Sequence, residues 1–298
     1  MFQTLQNTVT LEMTLVPDGP VLVRAQSVGL DPGIADMEFQ RTRRDGKSTV
    51  FLAGSGLKGV LRAHSERILR AANRFACDPT HTKDDPTTCG TRKKDAADPA
   101  GHYPHQGNCA ACFTFGSLKL AGRFRIGDAF PPPELEAATN ATEVRTSVGI
   151  DRQSQAAKTS ALYDTEVVVA GGFRATIQGE SFPLWQLGLV LEALRHLDAG
   201  LVRIGGGKAR GMGSVRVQDM KLVLGSLFAP EGTIAGAKRE GQGNPYRLPE
   251  NDTIAAPPGG LAARHGLFQT LTYENEPLAA LADALIQGPL QRYLGGKI

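Results

Sequence analysis

Residues 48–52 of the chain read Ser48-Thr49-Val50-Phe51-Leu52, residues 53–56 read Ala53-Gly54-Ser55-Gly56, and residues 57–70 read Leu57-Lys58-Gly59-Val60-Leu61-Arg62-Ala63-His64-Ser65-Glu66-Arg67-Ile68-Leu69-Arg70. The first run predicts a short strand. Apolar residues at positions 57, 60, 61 and 68 recur at helical spacing and predict a helix that packs on a sheet. Ser55 is placed to cap this helix. The stretch therefore predicts a strand, a turn of small residues and a helix.

The start of this predicted helix carries positive charge. Lys58 and Arg62 are four residues apart and share one helix face. A helix N-terminus also presents unpaired N–H groups and the positive end of the helix dipole, so we expect a phosphate to bind here. Further cations cluster nearby, namely Arg41, Arg43, Arg44, Lys47, Arg67, Arg70 and Arg74. Such clusters form an electrostatic footprint for a polyanion, although a solvated helix face equally explains those after residue 57.

A second glycine-rich stretch lies further along the chain and reads Arg203-Ile204-Gly205-Gly206-Gly207-Lys208-Ala209-Arg210-Gly211-Met212-Gly213-Ser214. Glycine permits positive φ, and consecutive N–H groups in such turns form anion-binding concavities. Lys208 and Arg210 add positive charge. The spacing is not that of a Walker loop. The stretch, here called the glycine loop, predicts a cradle for a nucleotide or nucleic-acid phosphate; a flexible connection between two strands is the alternative.

The remaining periodicity predicts an α+β fold. Alternating polar and apolar residues predict strands over 8–15, 123–130, 173–177 and 214–223, and apolar residues at helical spacing predict a helix over 183–199. This order favours helices on one face of a mostly antiparallel sheet. We expect residues 1–224 to form the core. Residues 225–298, where glycine and proline are frequent, are expected to form a C-terminal extension that packs on the core or on a neighbouring subunit.

All the cysteines of the chain, Cys77, Cys89, Cys109 and Cys112, lie in residues 76–117, a segment without helical or strand periodicity. The two-residue gap in Cys109-Ala110-Ala111-Cys112 lets one turn present both sulfurs to a zinc ion. Disulfides are rare in a chain that looks intracellular. We therefore predict a structural zinc held by the four cysteines. His81, His102 and His105 are alternative ligands in place of Cys77 or Cys89, and free thiols are the alternative to a metal site.

Composition narrows the class of protein. The chain has 298 residues, of which 41% are hydrophobic and 21% charged, as in globular rather than disordered proteins. No run reaches the roughly 18 apolar residues that a membrane helix needs, and the N-terminus Met1-Phe2-Gln3-Thr4 lacks the basic start of a secretory signal. We expect a cytoplasmic protein with no membrane partner.

Four motifs in this order resemble the RAMP superfamily, and within it the repeating backbone subunit of type III CRISPR effector complexes. Phe51 to Arg62 is similar to the family pattern S-x-L-K-G-x-x-R with its strand and turn. Phe115-Gly116-Ser117 with Arg123 to Ala129 resembles FGS…G-R-x-x-x-x-D. Arg145 to Arg152, continuing to Glu166, resembles R-x-x-x-x-I-D-R…L-Y-x-x-E, and the glycine loop resembles the superfamily's signature loop. The resemblance covers roughly residues 5–222 and leaves out the C-terminal extension.

The resemblance implies a ferredoxin-like (RRM-like) core with a zinc-binding insertion at 76–117, a protruding β-hairpin arm at 140–165 and the C-terminal extension. It implies partners too: a guide (CRISPR) RNA, a target RNA, further copies of the chain and other CRISPR effector subunits. The residues that it places on guide RNA are Gly54, Ser55, Lys58, Arg62, Gly205, Gly206, Lys208 and Arg210, with Arg152 at the arm.

Type III members also cut the target RNA, using an aspartate in the loop after the first strands. Asp36 occupies the matching place, although the family's usual I-D-S-P reads Ala35-Asp36-Met37-Glu38 here, and Asp31 is the reserve candidate. The resemblance therefore implies an endoribonuclease in which Asp36 binds a divalent cation such as Mg²⁺ or Mn²⁺, or helps to deprotonate the 2′-hydroxyl beside the scissile phosphate.

Three other functions stay open at this point. The first is a non-catalytic guide-RNA scaffold subunit of a DNA-targeting CRISPR complex. The second is a stand-alone metal-dependent or nucleotide-binding enzyme, which would explain the glycine loop alone. The third is a guide-processing ribonuclease that uses histidine chemistry; it ranks low because His64 and His196 both lie on predicted helices.

Overall fold

A computed structural model describes residues 4–25, 35–80, 87–92, 98, 101–227, 229–238 and 246–295. The helices in this part of the chain are α1 (Gly54–Ala71), α2 (Ala110–Phe115), α3 (Glu136–Asn140), α4 (Leu184–Asp198), α5 (Asn275–Leu285) and α6 (Gln291–Gly295). A 3₁₀ turn spans Lys208–Arg210, and a π-helical turn spans Ile286–Leu290. No helix among these residues is long and apolar enough to span a membrane.

The strands of the described residues are β1 (Asn7–Pro17), β2 (Arg41–Arg44), β3 (Lys47–Val50), β4 (Gly116–Ser117), β5 (Leu120–Ala121), β6 (Phe124–Ile126), β7 (Glu143–Ile150), β8 (Ala157–Val167), β9 (Phe173–Glu180), β10 (Val215–Ser226), β11 (Thr233–Ala235), β12 (Thr253–Ala255), β13 (Leu261–His265) and β14 (Phe268–Glu274). Six of them form one sheet in the order β13-β14-β10-β1-β9-β6. All neighbours in it are antiparallel. The predicted α+β class with a large antiparallel sheet is confirmed.

Helices α1 and α4 cover one face of this sheet. Alternate residues of β1 are buried, among them Leu11 and Leu15, and they pack in one core with Leu57 of α1 and Leu191 of α4. Burying such a side chain stabilises the fold by roughly 1.5–3 kcal/mol. The opposite face of the sheet is polar. Since one face is buried and the other is not, the strands alternate in sequence as predicted.

The start of α1 differs from the sequence prediction. Ser55 does not cap the helix: Ala53 occupies the N-cap position, and no side chain there makes a capping bond. Instead, the carboxylate of Asp128 accepts a hydrogen bond from the N–H of Gly54 at 2.7 Å. A Cβ on Gly54 would lie 2.3 Å from the carbonyl oxygen of Ile126, so only glycine fits. Ser55 and Gly56 are thereby left exposed at the helix start.

Residues after 224 take part in the main sheet. β10 continues to Ser226, and β14 pairs with it, Lys221 opposite Glu274. The sequence near Leu278–Ile286 predicts one short helix in this region, which corresponds to α5, but it does not predict the four strands β11 to β14. Asp252, from the same region, accepts a hydrogen bond at 2.7 Å from the N–H of Leu184, the first residue of α4. The C-terminal residues therefore extend the main sheet and bind the first residue of the core helix α4.

A pH-dependent contribution to stability follows from Asp252. Burial raises the pKa of this carboxyl to about 6, whereas an unfolded aspartate has a pKa of about 3.9. Between these values the folded chain keeps a proton that the unfolded chain releases, so this group's contribution to stability falls as pH rises. Asp252→Asn cannot ionise and keeps an oxygen acceptor. We expect it to lose less free energy of unfolding between about pH 4 and about pH 7 than the unchanged chain, measured by denaturant titration. An equal loss in both proteins would contradict this prediction.

Candidate nucleic-acid interface and metal centre

The glycine loop is a packed turn. Gly205 and Gly213 have φ of 67° and 87°, and a Cβ on them would lie 2.0 Å from Leu22 O and 2.1 Å from Ile204 O respectively. The N–H of Gly206 donates to Leu22 O at 2.8 Å. These glycines are required by backbone conformation and close approach, and the loop connects α4 to β10 rather than two strands. Lys208 and Arg210 are exposed on the 3₁₀ turn of the loop.

The glycine loop and the start of α1 border the same groove, here called the central groove. It encloses about 350 Å³, and its polar lining comes from Arg24, Gln40, Ser55 and Gly56 together with the backbone of Gly205. None of its described lining residues is acidic. The first helical bond of α1 is donated by Leu57 to Ala53 O, so the N–H groups of Ser55 and Gly56 precede the helical bonding pattern. The two stretches predicted separately to bind anions thus border one cleft, which Ser55, Gly56 and Gly205 line.

Arg62 is committed to contacts within the protein. Its guanidinium donates to Glu66 Oε1 at 2.9 Å, to Gly116 O at 2.7 Å and to Cys112 Sγ at 3.0 Å, and the side chain is only 15% exposed. Lys58, the other predicted phosphate contact on α1, is half-buried. Burial, together with the charge of Arg62, lowers the pKa of Lys58. The two residues share a helix face as predicted, but only Lys58 is available to a ligand.

β7 and β8 form an antiparallel hairpin at the position expected for the arm. Arg152 lies exposed in the turn at its tip, where Asp151 accepts hydrogen bonds from the backbone N–H and hydroxyl of Ser154. Nearer the base, Arg210 of the glycine loop donates a hydrogen bond to the hydroxyl of Tyr163 and lies 5.8 Å from its ring centre. The glycine loop is therefore joined to the base of the arm, and Arg152 lies at the other end of the hairpin.

Asp36 is exposed beside β8. Its Oδ2 accepts a hydrogen bond from the N–H of Asp164 at 2.8 Å. Met37 donates to Asp164 O at 3.0 Å and accepts from the N–H of Glu166 at 2.9 Å, a parallel bridge that aligns this short segment with the arm. Asp31, the reserve candidate, lies outside the described residues. The structure thus brings Asp36 to the base of the arm.

Glu166 holds the Asp36 segment in place, a role that sequence reasoning missed. Its Oε2 accepts from the N–H of Phe39 at 2.8 Å, and its Oε1 accepts from the hydroxyl of Thr142 at 2.6 Å and from Arg41. Although burial opposes its charged form, hydrogen bonds from Thr142, Phe39 and Arg41 hold the pKa of Glu166 below its ordinary value. The resemblance to the pattern ending in L-Y-x-x-E was the only signal that pointed to this residue.

His64 and His196 are not isolated. His64 Nε2 lies 2.6 Å from His196 Nδ1, where α1 meets α4. Burial, with the charges of His196 and Arg67, lowers the pKa of His64. His64 is buried, and the pair lies at the contact between α1 and α4 rather than in the central groove.

The cysteines form one buried cluster. The four sulfur atoms of Cys77, Cys89, Cys109 and Cys112 all lie within 4.8 Å of one another. The sulfurs of Cys77 and Cys112 are 3.4 Å apart, and those of Cys77 and Cys109 are 3.8 Å apart. Tetrahedral zinc with Zn–S bonds of about 2.3 Å requires sulfur separations of about 3.8 Å, so the donor set and its geometry fit this ion.

Contacts around the cysteines also suit bound thiolates. Cys89 Sγ accepts the N–H of Cys109 at 3.2 Å, in addition to the contact between Arg62 and Cys112. N–H donors of this kind orient metal ligands and balance their charge.

The two alternative histidine ligands within the described residues, His102 and His105, are not part of the cluster. His105 is buried, with its ring nitrogens 2.7 Å from Tyr246 O and 3.0 Å from the hydroxyl of Tyr293. His102 is exposed and stacks on Phe75. His81 lies outside the described residues. Among the described residues, the candidate ligands are therefore the four cysteines.

The family model described as the RAMP superfamily matches residues 20–216, more than half of the chain. The matched span contains α1, all four cysteines, the arm and the glycine loop up to the first residues of β10. No curated protein matches the chain.

The cysteine cluster is expected to carry zinc as purified. Protein prepared without added zinc should contain about one zinc ion per chain, and the double variant Cys109→Ser, Cys112→Ser should lose it and unfold at a lower temperature, because metal binding contributes to folding. Elemental analysis and thermal unfolding measure both. His102→Ala, which changes an exposed residue of the same segment, should retain the metal. A metal-free parent protein would reject the site.

Glu166→Gln tests the attachment of the Asp36 segment. The amide cannot accept both sets of hydrogen bonds, so we expect faster hydrogen exchange across residues 35–40 and a loss of about 1.5–3 kcal/mol in the free energy of unfolding. The control is Glu143→Gln on the same hairpin, where an exposed carboxylate pairs with Arg145; there we expect a loss of less than about 1 kcal/mol. Equal exchange in the Glu166 variant and the parent would show that the segment is held by other contacts.

Proposed function

Because this chain belongs to the RAMP superfamily, whose membership supports a CRISPR-associated RNA-binding role, we propose that it is the repeating backbone subunit of a type III CRISPR effector complex. In this proposal it binds guide RNA and assembles along that RNA with further copies of itself and with other effector subunits. It then cleaves target RNA that pairs with the guide. Phosphate contacts position the guide, and base pairing between guide and target supplies the specificity.

The observation that carries the RNA-binding part is the central groove. Two anion sites that are more than a hundred residues apart in sequence border one cleft, and none of its described lining residues is acidic. Lys208 and Arg210 lie on the same loop as Gly205, which contributes to its wall. A cleft bordered by two separate stretches of the chain suits a continuous sugar–phosphate backbone better than a single mononucleotide.

We further propose that the core is ferredoxin-like. In its favour, the order β1, α1, β6, β9, α4, β10 combines with the sheet order β10-β1-β9-β6. Many RRM domains stack RNA bases on aromatic side chains of the open sheet face. In the described strands β1, β9 and β10 the sole aromatic residue is Phe173, and it is buried. The guide therefore binds through backbone contacts in the central groove rather than by stacking across the sheet.

Cleavage is proposed at Asp36. Its carboxylate is exposed and held at the base of the arm through Oδ2. When bound there, a divalent cation such as Mg²⁺ or Mn²⁺ supplies Lewis acidity at the scissile phosphate. The residues of the chain fix the position of the carboxylate: Asp164 binds it directly, and Glu166 anchors the segment that carries it. The arm holds the flanking nucleotides so that the 2′-hydroxyl of one of them reaches its phosphate in line.

A second candidate is the non-catalytic guide-RNA scaffold of a DNA-targeting complex. One observation favours it: the N–H of Asp164 already engages Oδ2 of Asp36, which reduces the capacity of this carboxylate to act as a base or metal ligand. The sequence Ala35-Asp36-Met37-Glu38 departs from the family's usual pattern, which also favours the scaffold function.

Asp36→Asn separates the two functions. In the assembled complex with guide and complementary RNA, we expect target cleavage to slow by about 100-fold or more, the usual contribution of a group in proton transfer, with guide and target binding unchanged. Asp283→Asn, which neutralises an exposed carboxylate on α5, is the control. Unchanged cleavage in Asp36→Asn, and in the variant that also carries Asp31→Asn, would reject the nuclease and leave the scaffold.

A further inference from the structure

A second groove lies beside the central groove, between the N-terminal half of α1 and the cysteine-bearing segment. This α1–cysteine groove encloses about 580 Å³. Two cations and four hydroxyl-bearing residues contribute to its lining, namely Lys58, Arg62, Ser55, Thr88, Thr91 and Ser117. None of its described lining residues is acidic. The rest of the lining is largely apolar and includes Phe115, Leu118 and Leu120, so a negatively charged ligand would bind at the cationic and hydroxyl groups.

Lys58 is the cation that such a ligand would meet. Within the described part of the chain it has no hydrogen-bond or ion-pair partner. It is half-buried, and burial together with the adjacent charge of Arg62 lowers its pKa, which means that its positive charge is poorly solvated and uncompensated. An anion in the groove would compensate the charge of Lys58 and replace its missing solvation, because a charge-assisted hydrogen bond to an ammonium group is strong in a partly dry site.

Arg62 and the metal centre fix the shape of the groove. The contacts of Arg62 with Gly116 O and Cys112 Sγ join α1 to β4 and to the cluster. Cys77 and Cys112 themselves line the groove. Its outer wall therefore depends on the folded state of the cysteine segment.

The two grooves meet at Ser55, which lines both of them. Ser55 and Gly56 are exposed at the start of α1, with N–H groups that precede the helical bonds. A polymer that leaves the glycine loop across this helix start would enter the α1–cysteine groove without crossing an acidic lining residue among those described. This continuity favours a nucleic-acid strand over a separate small anion.

We propose that the α1–cysteine groove carries the guide strand onward from the central groove, with the sugar–phosphate backbone as its ligand, Lys58 at a phosphate and the metal-binding segment as its outer wall. The inference rests on the proposed RNA-binding function. It gives the cysteine segment a part in RNA binding in addition to its part in folding.

Three variants of the full chain test the inference with a fluorescently labelled, unstructured single-stranded RNA of about twelve nucleotides, within the range that single-strand-binding folds cover. Lys58→Ala should reduce the slope of log K against log salt by about 0.7, as expected for one lost phosphate contact. Thr91→Glu places a carboxylate on the opposite wall and should weaken binding about tenfold. Gln106→Glu adds the same charge to an exposed position of the segment outside the groove and should change nothing. The zinc content and unfolding temperature of each variant verify that it is folded.

An RNA of about four nucleotides, too short to occupy both grooves, should not discriminate Thr91→Glu from the parent. Photocrosslinking with 4-thiouridine in the longer RNA should label peptides that contain residues 87–92. Chelation of zinc should weaken binding of the longer RNA more than that of the shorter one.

The outcomes separate this inference from the function on which it rests. If Lys208→Ala with Arg210→Ala leaves RNA affinity unchanged, the proposed function itself fails. If that variant weakens binding but Lys58→Ala and Thr91→Glu match the parent, the groove does not carry RNA and the inference is overturned. Reduced assembly with other subunits at unchanged RNA affinity would also overturn it, because the groove would then hold an acidic segment of a neighbouring protein.

Discussion

Gly54 lies so close to the backbone of β6 that a Cβ would sit 2.3 Å from the carbonyl oxygen of Ile126. Because of this close approach, the carboxylate of Asp128 reaches the N–H of Gly54 and caps α1. The helix start is thereby fixed against the sheet, with Ser55 and Gly56 turned towards solvent where the two grooves meet. Any side chain at position 54 would push α1 away from β6, and the central groove, the α1–cysteine groove and the orientation of Arg62 would all change together.

The cysteine segment is attached to the core by contacts as well as by chain connectivity. Arg62 joins it to α1, and Cys109 and Cys112 lie in a second apolar cluster with Trp185 of α4. Trp185 stacks on Tyr293 at 3.8 Å, so the C-terminal residues close the same cluster from the other side. A metal ion in the cysteine cluster would replace the apolar burial that this aperiodic segment cannot supply itself. Because Cys77 and Cys112 also line the α1–cysteine groove, a metal ion bound here would influence the shape of that groove.

Features that depend on neighbouring residues in the sequence were predicted correctly. The helix expected over 183–199 is observed as Leu184–Asp198, and the glycine loop and cysteine cluster occur where glycine content and cysteine spacing indicated. Sequence reasoning failed where a contact joins distant residues. Asp128 rather than Ser55 caps α1 from 74 residues away, and Glu166 fixes the Asp36 segment from 127 residues away. The periodicity of a helix or strand does not indicate which distant residue will form a hydrogen bond with it. The strands β11 to β14 were missed because most are short and lie in a region rich in glycine and proline, where alternation is hard to recognise.

The position of β1 in the sheet has a consequence for how the chain folds. Asn7 pairs with Ser226 on one side of β1, and Thr8 pairs with Glu180 on the other. Because β9 and β10 span residues 173–180 and 215–226, β1 gains its two neighbouring strands only after that part of the chain has left the ribosome. Such non-local pairing makes folding slow, since loop closure precedes any gain from the contacts. During synthesis the apolar side chains of β1 can pack on α1 early, but α4, which covers the same face, emerges only with residues 184–198, and apolar surface left uncovered until then is prone to aggregation.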